Sequence, residues 1–142
     1  MSTQTHDTQA PLGGARNAAD AAFGVLAVIT LALAAIQIGL AGLGAFGGSF
    51  GPHVTLGYVI ALLSILMLVA ALIARPSRRV VIQAIVLFLL AVPLQPMLAT
   101  IGENGSSWIG ALHALNGVVI TGLAGALVGQ TRLRRRRPKA TT

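Results

Sequence analysis

Residues 21–74 read AAFGVLAVITLALAAIQIGLAGLGAFGGSFGPHVTLGYVIALLSILMLVAALIA and contain no Asp, Glu, Lys or Arg. A membrane-spanning helix needs about 20 apolar residues, so this stretch is long enough for two such helices. The run GGSFGP at residues 47–52 supplies the turn between them, because glycine and proline interrupt helices. The stretch therefore predicts a helical hairpin inside a membrane.

The rest of the chain continues this pattern. Two further stretches without charged residues, 80–102 and 104–131, are each long enough for one more span. The sequence thus predicts an all-α, integral membrane four-helix bundle. Its predicted spans cover about residues 21–46, 53–74, 80–101 and 108–129, between a disordered N-terminal tail (1–20) and a basic C-terminal tail (130–142).

The composition of the 142 residues agrees with a membrane protein. Hydrophobic residues make up 55% of the chain and charged residues only 9%, whereas soluble domains carry about 25% charged residues. The chain has no cysteine, which excludes disulfides, thiolate metal sites and iron–sulfur clusters. Few residues are therefore left to carry chemistry.

The ten basic residues all lie in segments that four spans place on one side of the membrane. They are Arg16, Arg75, Arg78, Arg79, Arg132, Arg134, Arg135, Arg136, Arg137 and Lys139. Because positively charged segments stay in the cytoplasm, this distribution predicts that both termini are cytoplasmic. We interpret the run 134–137 as a topology determinant, with nucleic acid or anionic lipid binding as the alternative.

The two halves of the chain resemble each other. Residues 37–44 read QIGLAGLG and precede HVTLG at 53–57, and residues 95–102 read QPMLATIG and precede HALNG at 113–117. Both halves fit Q-x-x-L-A-x-[LI]-G, a short loop and H-x-x-x-G. The duplication predicts two tandem helical hairpins related by a pseudo-twofold axis along the membrane normal.

The repeat places His53 and His113 at the outer ends of the second and fourth helices, at similar depth. Two imidazoles that face each other across a four-helix bundle are a ligand pair for a haem iron. Filling both axial positions suits electron transfer rather than oxygen binding. Gly57 and Gly117, four residues further on, leave space beside each ring. We therefore expect one haem b near the outer face, with quinone or a membrane redox partner exchanging electrons with it.

The other polar residues in the spans have smaller expected roles. Gln37 and Gln95 are expected to hydrogen-bond across helices or to backbone carbonyls, with cofactor contact as a second use. Two prolines flank Gln95 and loosen the third helix there. Asn116 follows His113 by one turn and is expected either to fix the tautomer of that histidine or to contact a helix.

Three alternatives use the same residues differently. In the first alternative, the two histidines bind no metal and make ordinary hydrogen bonds at the membrane interface, which tolerates half-polar side chains. With Glu103, the one charged residue expected outside, they form an open zinc or copper site. The chain is alternatively a cofactor-free accessory subunit of a membrane complex. A transporter is disfavoured because no acidic residue lies within a predicted span, and His6 in the tail is expected to be inert.

The pattern Q-x-x-L-[GA] on one span, with a histidine at the outer end of the next, resembles the haem A synthase family. That family fuses two four-helix bundles, and this chain resembles one such half over residues 25–129. The resemblance implies that Gln37 and Gln95 match the family glutamine, and that His53 and His113 match the haem-ligating histidines. We expect the chain to lie in a bacterial cytoplasmic membrane.

The resemblance does not extend to the family's catalysis. The family's catalytic outer-loop glutamate lies a few residues before a histidine, whereas Glu103 lies ten residues before His113. The chain has four predicted spans where the family has eight. Haem binding is therefore implied more strongly than enzyme activity. The chain also resembles a small, uncharacterised family of four-helix bacterial membrane proteins, which implies no activity.

Overall fold

The computed structural model describes the backbone of residues 10–136 and the side chains of residues 13–134, and all regular structure there is helical. The helices are α1 (Ala10–Ala45), α2 (Gly51–Ala74), α3 (Arg78–Leu89), α4 (Gln95–Glu103) and α5 (Ser107–Arg136). A π-helical turn, Leu90–Leu94, joins α3 to α4.

The five α-helices form four spans, because α3 and α4 are joined by the π-helical turn into one continuous helical segment. The segments long and apolar enough to cross a membrane are Gly13–Ala45, Gly51–Ala74, Arg78–Glu103 and Ser107–Arg134. The predicted all-α, four-helix membrane fold is confirmed. Many large apolar side chains are exposed on the bundle, among them Val25, Leu62, Leu72 and Val119, as expected of helices that face lipid.

The first and last helices of the chain, α1 and α5, are longer than the sequence pattern predicted. α1 begins at Ala10 rather than at residue 21, because this segment is rich in alanine, the best helix former. An ion pair between Asp20 Oδ1 and Arg134 Nη2, 2.8 Å apart, ties this extension to the end of α5. Residues 10–20 are therefore helical and not a disordered tail. Residues 1–9 and 137–142 of the predicted tails lie outside the described residues.

The π-helical turn follows from the prolines around Gln95. Pro93 has no N–H to donate, so the regular hydrogen-bond ladder is interrupted. The backbone N–H of Gln95 instead bonds to the carbonyl of Leu90, five residues earlier. The same carbonyl also accepts a hydrogen bond from Asn116 Nδ2 at 3.1 Å. The prolines thus loosen the third span as expected, and a side chain of α5 hydrogen-bonds to a carbonyl at this point.

The four spans are arranged in a ring in which consecutive spans are antiparallel. α1 packs against α2 and α5, and the third span also packs against α2 and α5. α2 and α5, which carry the two histidines, therefore lie diagonally opposite each other. This order is the one expected from two hairpins related by a twofold axis.

The bundle is packed tightly only in the half near the termini. The largest fully buried side chains lie there: Phe23, Met67, Leu87, Leu127 and Val80. Thr30 adds a hydrogen bond from its hydroxyl to the sulfur of Met67, at 3.4 Å. The other half, which ends at the 46–50 and 104–106 turns, is lined by small residues and contains a partly open cavity. The fold therefore places its internal space beside the two histidines.

Candidate functional site

A cavity of about 650 Å³ lies between the two hairpins in the half of the bundle away from the termini. It is bordered by both histidines, both glutamines of the repeat and a set of small residues that includes Ala41, Ala99, Gly102, Gly110 and Ala114. Its volume is within the range of about 300–1,000 Å³ that is typical of ligand and cofactor sites. The small residues give it flat apolar walls.

In the first hairpin, Gln37 and His53 bind each other through two hydrogen bonds. His53 Nδ1 donates to the backbone carbonyl of Gln37 at 3.2 Å. The Gln37 side-chain amide donates to the backbone carbonyl of His53 at 2.7 Å. A Cβ placed on Gly57 would come within 3.2 Å of that amide nitrogen, so the glycine leaves room for the glutamine.

The second hairpin repeats this arrangement. His113 Nδ1 donates to the backbone carbonyl of Gln95 at 3.1 Å, and the Gln95 amide donates to the carbonyl of His113 at 3.2 Å. Gly117 occupies the place of Gly57, with its hypothetical Cβ 3.7 Å from the Gln95 amide nitrogen. The sequence repeat is therefore a repeat of the same reciprocal clamp, and the glutamines bond across helices as expected.

The hydrogen bonds fix the tautomer of both histidines. A backbone carbonyl only accepts, so Nδ1 of each neutral ring carries the hydrogen and Nε2 carries the lone pair. Metal-ligating histidines are commonly oriented in this way, with the second ring nitrogen held by a carbonyl. Both side chains are half-buried at the cavity. Nε2 is thus the nitrogen of each ring that can bind a metal, and Nε2 of His113 also lies 3.3 Å from the Gln95 amide nitrogen.

The two histidine rings approach each other edge to face at the cavity. Their centroids are 6.1 Å apart and their planes make an angle of 61°. Two imidazoles on opposite sides of one metal ion, each with a metal–nitrogen distance of about 2.0 Å, have centroids about 6 Å apart. The separation therefore fits bis-histidine ligation of one central ion. The apolar walls around the pair fit a large flat ligand better than a bare ion.

The second clamp has members that the first lacks. Asn116 is buried and donates both to Gln95 Oε1 and to the carbonyl of Leu90. Asn116 contacts Gln95 and does not hydrogen-bond to His113. The tautomer of His113 is therefore fixed by the backbone carbonyl of Gln95 and not by Asn116. The sequence contains the asparagine and the prolines, but it does not show that the π-helical turn brings the Leu90 carbonyl to this side chain.

The alternative metal site with Glu103 is not formed. Among the described residues, no three His, Cys, Asp or Glu side chains come together as a metal-binding group. Glu103 is exposed at the rim of the cavity, where water solvates its carboxylate. His6 lies outside the described residues.

Comparison with known proteins identifies a matching family. The model of a family of unknown function (DUF6220) matches residues 37–101. This segment includes Gln37, His53 and Gln95 and ends before His113. No curated protein matches the chain, and no solved structure does. The chain is thus similar over this segment to a family that carries no assigned chemistry.

Proposed function

We propose that this protein is a small b-type cytochrome that holds one haem between His53 and His113. The observation that carries the proposal is the pair of imidazoles 6.1 Å apart, each with its Nδ1 anchored on a backbone carbonyl. Haem held by two imidazoles would supply one-electron transfer. The function is electron transfer within the membrane or the handling of haem.

Each residue of the site has a defined task under this proposal. His53 and His113 would hold the haem iron through Nε2. Gln37 and Gln95 orient the rings through their backbone carbonyls and close the clamps through their amides. The small wall residues, such as Gly102, let a planar macrocycle lie between the hairpins.

The charge distribution supports an orientation for this site. The arginines near the chain ends and at positions 75, 78 and 79 support cytoplasmic termini under the positive-inside rule. The haem then lies toward the outer face of a bacterial cytoplasmic membrane. Quinone or a membrane redox partner is the proposed electron partner. The resemblance to half of a haem A synthase supports haem handling as the other use of the same site.

Visible spectroscopy tests the proposal. The full chain is purified in detergent from cells supplied with iron and a haem precursor, and reduced-minus-oxidised spectra are normalised to protein. We expect Soret and α bands of a low-spin haem b in the wild type. His53→Ala and His113→Ala should each lose the six-coordinate spectrum, because that state needs both ligands. A wild-type preparation without these bands would reject the proposal.

A cofactor-free accessory subunit is the second candidate. A Cβ added at Gly39 or Gly42 of α1 would meet no described atom within 4 Å, so this small-residue face is free to pack closely against another helix. Under this alternative, both histidine variants co-purify with the same membrane complex as the wild type. Co-purification that fails only in Gly39→Leu would favour the accessory role.

A further inference from the structure

The two histidines differ in what lies against the ring nitrogen Nε2. The amide nitrogen of Gln95 is 3.3 Å from Nε2 of His113. Nδ1 of this ring donates its hydrogen to the Gln95 carbonyl, so Nε2 carries the lone pair and accepts from the amide. The Gln95 amide thus caps the one atom of His113 that can bind a metal.

Asn116 holds this cap in place. Its Nδ2 donates to Gln95 Oε1 and to the Leu90 carbonyl at the π-helical turn. The other end of the amide donates to the carbonyl of His113. The Gln95 side chain is therefore held at both its oxygen and its nitrogen, beside the lone pair of the ring.

In the first hairpin, no described side chain holds the Gln37 amide against Nε2 of His53. Leu56 stands three residues after His53, where Asn116 stands after His113. Among the described side chains, none donates to Gln37 Oε1, which is buried without a hydrogen-bond partner. The Gln37 amide donates to the backbone carbonyl of His53. His53 accordingly presents its Nε2 without an amide cap.

We infer that the two axial ligands are unequal, which rests on the proposed haem site: His53 is the permanent ligand and His113 is the replaceable one. A small uncharged diatomic ligand then binds the ferrous iron on the His113 side. One iron–nitrogen bond breaks and one iron–ligand bond forms, with no electron transferred. The Gln95 amide then donates a hydrogen bond to the freed Nε2 of His113, which favours the exchange by about the tenfold factor of one hydrogen bond.

Carbon monoxide is the probe that tests this inference. The haem-loaded full chain, reduced with dithionite in detergent, is titrated with carbon monoxide and followed by its Soret band. Asn116→Leu copies the residue of the first hairpin and releases the cap, so His113 binds iron more firmly. We expect the half-saturating concentration to rise about tenfold. The reverse change, Leu56→Asn, should lower it by providing a cap on the His53 side.

The histidine variants identify which ligand leaves. His113→Ala should retain a five-coordinate haem that binds carbon monoxide, whereas His53→Ala should lose most of its haem. In the haem-free protein, ¹⁵N NMR of labelled histidine should show that Asn116→Leu shifts the Nε2 resonance of His113 and leaves that of His53 in place.

Two outcomes would overturn the inference, and they are distinguishable. Equal haem retention in the two histidine variants, with no change of carbon monoxide affinity in Asn116→Leu, would contradict unequal ligands and leave the haem site standing. Failure of the wild type to bind haem would remove the proposed function and the inference together.

Discussion

Replacing Gly102 with alanine should destabilise the second hairpin, because α4 and α5 meet there backbone against backbone. A Cβ on Gly102 would lie 2.8 Å from the Cα of Gly110 and 2.9 Å from its nitrogen. Ordinary contact begins at 3.4 Å, so the helices must separate by roughly 0.6 Å or tilt. The reverse substitution is easier, since a Cβ on Gly110 would lie 3.9 Å from the Cα of Gly102.

These distances set the size of the effect. Overpacking a tight contact costs about 1–3 kcal/mol. Replacing a helical glycine by alanine stabilises the helix by up to about 1 kcal/mol. Both variants gain this stabilisation, so their free energies of unfolding should differ by the strain alone, about 1–3 kcal/mol, with Gly110→Ala the more stable.

Equilibrium unfolding in mixed detergent micelles measures this difference. The single tryptophan, Trp108, lies in the first turn of α5 and reports on that hairpin. Because the contact borders the cavity, Gly102→Ala should also weaken haem binding more than Gly110→Ala does. Equal stabilities of the two variants would refute the close approach of the helices and the cavity geometry built on it.

The remaining substitutions follow from single contacts. Gly57→Leu and Gly117→Leu should reduce the haem content of purified protein more than Gln37→Leu, because leucine displaces the clamping amide and also enters the cavity. Asp20→Asn should lower the free energy of unfolding by no more than about 0.5 kcal/mol, since its ion pair is partly exposed and screened by salt. His6→Ala should leave the visible spectrum unchanged, because that residue belongs to the polar N-terminal segment.

Charge spacing was sufficient to predict the four spans. An arginine or a glutamate inside lipid is costly, so the gaps between charged residues mark the spans. The start of α1 was not predictable in this way. Residues 10–20 contain polar and charged side chains, and their helix is stabilised by Asp20 contacting Arg134, which lies 114 residues away in the chain.

The site was predictable in its residues and not in its details. The repeated Gln and His pointed to the residues that pair in the structure, because the same spacing on two hairpins produces the same clamp twice. The cap on His113 depends instead on the path of the π-helical turn, which sets the position of the Leu90 carbonyl and thus of Asn116. Such a local path depends on packing, which hydrophobic periodicity does not encode.

Electron paramagnetic resonance of the oxidised, haem-loaded protein tests the bis-histidine site most directly. The measurement is combined with the haem-to-chain ratio of the same sample in detergent. We predict one haem per chain and a low-spin ferric signal that disappears in both His53→Ala and His113→Ala. A high-spin signal in the wild type, or a low-spin signal that survives both substitutions, would contradict ligation of the iron by these two residues.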